Sequence, residues 1–98
     1  MNNNELSKKV AELIGFEPYF DNPFGNGEPK YDFGGKRQHF NIETAEAQMA
    51  FIESDLIRVA TRNNKTGVWI VTTVDYQHVS GETLLEAIRN VVESIDNA

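Results

Sequence analysis

The chain has 98 residues, 40% of them hydrophobic and 24% charged, with no cysteine and a net charge of −6. That composition describes one ordinary folded domain, 1–98, with a modest core held by packing, without disulfides or thiolate–zinc sites. The excess of acid, nine acids against four bases over 41–98, opposes attraction to phosphate backbones or anionic lipid, and no window nears the ~18 apolar residues of a membrane span.

The first element reads as a helix from about Asn4 to Gly15. Leu6, Val10, Leu13 and Ile14 form its apolar stripe, and Gly15 sits where a left-handed C-terminal cap belongs. The next stretch, Phe16 to Lys36, holds all three prolines, four of seven glycines and six of ten aromatics. Asp21-Asn22-Pro23 and Gly25-Asn26-Gly27 are turn signals, and short extended pieces are expected at Lys30–Phe33 and Arg37–Phe40 around Gly34-Gly35. The stretch is too aromatic for a solvated linker, so its rings either pack over the domain or face a partner.

Asn41 is the expected N-cap of a second helix from Ile42 to about Ser54, with Ile42, Ala45, Met49, Ile52 and Leu56 as one stripe and Ala47, Ala50 and Phe51 beside it. Strand alternation then begins near Ile57 and runs to Arg62. After a turn at 63–67, Val68 to Asp75 reads as the strongest strand. Its largely uncharged faces predict a central position with cover on both sides, paired to Leu56–Arg62 as a hairpin. Ser80 is the expected cap of a last helix from Gly81 or Glu82 to about Ile95. Trp69 and Phe51 are the aromatic core candidates. The order α-β-α-β-β-α predicts a small three-layer α/β (α+β) sandwich.

Three patterns support a family resemblance: Lys9-Val10-Ala11-Glu12-Leu13-Ile14-Gly15-Phe16, Phe40-Asn41-Ile42-Glu43-Thr44-Ala45-Glu46-Ala47, and Trp69 followed by Glu82-Thr83-Leu84-Leu85-Glu86-Ala87-Ile88. Over nearly the whole chain this resembles the phage ABA sandwich domain family, small phage and prophage proteins. Asn41 stands where a serine is more usual, and Gln48-Met49 where a tryptophan is expected. The resemblance implies a three-layer fold and a phage context, and supplies no activity or catalytic residues.

Residue chemistry points away from catalysis. His39 and His78 each lack a second ligand at i+3 or i+4, though Asp75 and His78 are spaced to approach one another. Gly25-Asn26-Gly27 neither follows a good strand nor opens a helix, as a phosphate loop would. Glu43, Glu46, Glu53, Asp55, Glu82, Glu86, Glu93 and Asp96 lie on helix exteriors, as a solvated surface or as an acidic imitation of a nucleic acid. Lys36, Arg37, Arg58, Arg62 and Lys65 form a basic patch only if the extended pieces lie side by side.

The expectation is a non-enzymatic phage or prophage accessory protein, cytoplasmic, needing no metal or cofactor, that binds a host or phage protein. Phe20, Phe24, Tyr31 and Phe33 are its candidate contact residues. A small-molecule or nucleotide-sequestering module, an acidic nucleic-acid mimic, a small enzyme using Asp75 and His78 in one pocket, and a structural homo-oligomer are the alternatives.

Overall fold

Helix α1 (Asn3–Leu13) opens on Asn2, whose side-chain oxygen accepts the Glu5 N–H at 2.8 Å. It closes as a Schellman motif: Gly15, at φ +83°, donates to the Glu12 carbonyl, and Phe16 donates to that of Ala11. A side chain at Gly15 would be strained there, which explains the residue type. The cap turns the chain so that Phe16 packs back against the core. The computed structural model describes every residue except Asn22, Pro23, Gly25, Asn26, Asn97 and Ala98, so most of both expected turn signals in 21–27 lies outside the described residues.

Strands β1 (Tyr31–Phe33) and β2 (Lys36–Gln38) pair antiparallel in a two-stranded sheet. Gly34 and Gly35, both at positive φ, form the two-residue turn between them. Tyr19 extends this ribbon by exchanging both backbone hydrogen bonds with Lys30 at 2.8 Å.

Helix α2 (Ala45–Ile52) starts later than its hydrophobic pattern suggests. Thr44, not Asn41, is the cap: its hydroxyl accepts the Ala47 N–H at 3.3 Å. Asn41 instead builds the preceding turn, its side chain accepting from Glu43 N and its carbonyl from Thr44. Small polar residues serve both motifs, and the turn leaves Ile42 fully buried ahead of the helix. The buried face of α2 is Ala47 and Phe51; Met49 lies at the surface.

The larger sheet has the order β3-β4-β5, all antiparallel: β3 (Ile57–Arg62), β4 (Trp69–Thr73) and β5 (His78–Gly81). β4 is central, as expected, and Trp69, Val71 and Thr73 point to the helices. The expected cover on the second face is not there: Val59 is 48% and Ile70 39% exposed. β-branched residues tolerate a half-solvated sheet face well, so an uncharged strand is no proof of double cover. Arg58 is the extra residue of a bulge in β3 and lies over the Tyr76 ring at 4.4 Å.

β5 replaces the expected cap at Ser80, which pairs with Ile70 inside the sheet. Thr83 caps α3 (Leu84–Asp96), its hydroxyl accepting from Glu86 N at 3.1 Å and its carbonyl from Ala87 N at 3.0 Å. The helix lies against β4 and β5, and a Cβ on Gly81 would fall only 2.4 Å from the Ala87 nitrogen. The mixed α+β class and the α-β-α-β-β-α succession are those expected, with β5 added before the last helix, and the described residues form three helices and two antiparallel sheets packed together. Leu6, Val10, Ile42, Phe51, Val71, Ile88, Val91 and Val92 form the fully buried center, and Trp69 packs at its edge. No described helix is long and apolar enough to cross a membrane.

Candidate functional site

The ring-rich stretch divides into an inner and an outer set. Phe16, Tyr31, Phe33 and Phe40 form one cluster, with Phe16 stacked on Phe33 at 5.9 Å and 18°, and with Phe40 tilted against Phe33 at 5.1 Å. Tyr31 meets Phe40 edge-on at 6.2 Å. Each such pair contributes about 0.5–1.5 kcal/mol beyond area burial. The cluster fastens the β1–β2 ribbon to the Gly15 cap and to the chain entering α2.

Tyr31, only 7% exposed, and Phe33, half-buried, are therefore occupied by the fold and cannot serve as freely presented contact rings. Their inward alternation on a three-residue strand, and the later ring of Phe40, explain this. Phe20 is 39% exposed and Phe24 85%, so these two expected contact residues do face outward. Tyr19 joins them, its ring covered on one side by the Arg37 guanidinium at 3.7 Å while Arg37 also pairs with Asp32 at 3.0 Å.

Between α1 and the returning ribbon lies a groove of about 410 Å³. Its walls are Phe16, Pro18, Phe20, Pro29 and the edge of Tyr31, with Glu12 at its margin. Gly15 and the two prolines set its shape: the left-handed cap turns the chain off the helix, and Pro18 prevents the helix from resuming. Lys8 reaches across to Glu28 at 3.7 Å, and Lys30 pairs with Asp21 at 3.2 Å. Burial, then the carboxylates of Glu28 and Glu12, hold the Tyr31 phenol above its ordinary pKa. Phe16, Pro18 and Pro29 were not among the contact residues expected from sequence. The two prolines that bracket Phe20 were the available signal, since rigid φ angles on both sides hold a shaped wall.

The other sequence candidates do not converge. Asp75 accepts from the Thr73 hydroxyl, whereas His78 Nδ1 pairs with Thr72 Oγ1 at 3.0 Å on the opposite face of β4. His39 Nδ1 donates to the Pro29 carbonyl at 3.2 Å. Among the described residues, no group of three or more His, Cys, Asp or Glu side chains gathers around a common point. The five bases do not share a sheet: Lys36 and Arg37 belong to β2, Arg58 and Arg62 to β3. A second hollow, about 350 Å³, lies between the β4–β5 turn and α3, lined by Leu56, Val74, Val91 and Ile95 with Asp75 at its rim.

No protein-family model, no curated protein and no solved structure matches this chain.

Proposed function

We propose that this protein is a non-enzymatic binding module that docks another protein through the outer rings and the groove beside them. The observation that carries the reading is the division of the aromatic stretch. Four rings suffice to pin the ribbon, yet Phe20 and Phe24 are kept at the surface, Phe20 in the wall of a proline-lined groove. Exposed aromatics beside a concave apolar wall are the usual anchors of protein recognition, since a rigid ring buries much area at small entropic cost. In keeping with the resemblance of its sequence to the phage ABA sandwich domain family, such a module reads as a phage or prophage accessory protein that meets a host or phage partner in the host cytoplasm.

The test is crosslinked capture from host lysate with the wild-type chain and with a Phe20→Ala/Phe24→Ala double variant, after circular dichroism has shown the two to be equally folded. A partner recovered by the wild type and lost from the variant supports the reading. Equal recovery by both removes these rings from the interface.

A second reading rests on the hollow between the β4–β5 turn and α3. Its apolar lining with one carboxylate at the rim, and the left-handed φ of 66° at Tyr76 in the adjoining turn, suit a small apolar ligand bearing a cationic group. Thermal shifts across a panel of alkylamines and the matching alcohols separate this reading from the first.

A further inference from the structure

The groove beside Phe20 has a wall composition and a charge that together select one kind of occupant. Its apolar surface is made of rigid groups: the ring of Phe20, the uncovered part of Phe16, the pyrrolidines of Pro18 and Pro29, and at the floor the edge of the buried Tyr31. A groove walled by rigid rings and pyrrolidines suits an extended, equally rigid chain whose bulky side chains recur every third residue. A polyproline II helix meets that requirement: three residues per turn, about 3.1 Å rise per residue, no internal hydrogen bonds and little conformational entropy left to lose.

Charge adds the second selection. Glu12 and Glu17 line the groove, and Glu28 stands close enough to act on the Tyr31 phenol with Glu12. Lys8 is the one cation among the lining residues, and it is already engaged with Glu28. The groove therefore presents uncompensated carboxylate to its occupant, so an acidic segment is repelled and a basic one is attracted.

Taking the docking reading above as its basis, we propose that the groove binds a proline-rich segment of the partner in the polyproline II conformation, with an arginine or lysine flanking the prolines and directed to Glu12 and Glu17. The rings supply the contact surface, and the carboxylates set the direction in which the segment lies.

The experiment is a titration of the full chain, ¹⁵N-labelled, with a peptide of two arginines followed by three Pro-Pro-Ala triplets. Two controls replace the arginines by glutamates or the triplets by Gly-Ser repeats. The arginine–proline peptide is expected to shift the amides of Lys8, Phe16, Phe20 and Tyr31, and both controls to bind more weakly. Glu12→Gln with Glu17→Gln weakens binding about threefold, the scale of exposed ion pairs, and lessens its salt dependence. Phe20→Ala weakens it by at least about tenfold.

Absence of groove shifts with the arginine–proline peptide overturns the proposal, as does equal binding of the Gly-Ser control, which would mean attraction by charge alone. Shifts confined to the outer sheet face overturn it as well. The two readings fail separately. A partner lost from the Phe20→Ala/Phe24→Ala variant but not displaced by the peptide leaves docking standing and rejects a proline-rich segment. Peptide binding in the groove without any loss of partner from that variant rejects the docking reading itself.

Discussion

Gly81→Ala is the sharpest test of how the last helix is seated on the sheet. Gly81 pairs with Trp69 and faces inward beneath α3. A methyl group there would lie 2.4 Å from Ala87 N, 2.8 Å from Ala87 Cα and 2.9 Å from Glu86 C. All three are backbone atoms, so no side-chain rotation relieves the overlap. Restoring ordinary contact requires α3 to lift by about 1 Å, which loosens the packing of Ala87, Ile88, Val91 and Val92, all fully buried. Overpacking of a filled site costs about 1–3 kcal/mol, and this case belongs at the upper end because only backbone can yield. At about 4–8 °C per kcal/mol for a domain of this size, the melting temperature falls by about 12–24 °C. Thermal and urea unfolding followed by circular dichroism measure it, with Ser80→Ala as the exposed neighbor control, expected within about 0.5 kcal/mol. A Gly81→Ala variant as stable as the control would refute the close seating of α3 on β5.

Three further outcomes are expected. Gly15→Ala, with nothing within 4 Å of the added Cβ, is destabilizing through its φ of +83° alone, by about 1–2 kcal/mol in urea unfolding. Ser7→Ala removes a buried hydroxyl that accepts the Ile42 N–H at 2.9 Å and donates to the Asn3 carbonyl at 2.8 Å; the orphaned N–H costs about 1–3 kcal/mol by the same assay. Tyr31 holds its proton above the ordinary tyrosine value of 10.0, whereas the unfolded phenol releases it near that value. The folded state thus binds more protons above pH ~10, so stability falls as pH rises from there, and phenolate absorbance should show a late-ionizing component that Tyr31→Phe removes.

Much of the fold was legible because local and tertiary signals agreed. The stripe Leu6–Val10 and the Gly15 stop placed α1, and the alternation at Ile57–Arg62 followed by Val68–Asp75 placed the β3–β4 hairpin. β5 escaped notice because His-Val-Ser-Gly carries no apolar run. It is a strand by virtue of pairing with β4 and of a glycine small enough to lie under α3. The start of α2 was misplaced because Asn41 and Thr44 are equally good caps in isolation, and only the burial of Ile42 decides between them. For the candidate site, the aromatic density of 16–36 was visible, but the partition of the rings was not. Burial of Tyr31 depends on Phe40, which lies beyond the stretch, and the groove depends on a turn set by Gly15. The open face of the β3-β4-β5 sheet was hidden by its own uncharged composition.

That open face is the competing docking surface, and photo-crosslinking from single positions distinguishes it from the aromatic groove. A benzoylphenylalanine placed at Phe20 and, separately, at Val59 would be irradiated in host lysate, and the adducts compared by mass. Docking through the outer rings predicts a discrete adduct from position 20 and none from position 59. An adduct from position 59 alone would contradict it and move the interface to the sheet.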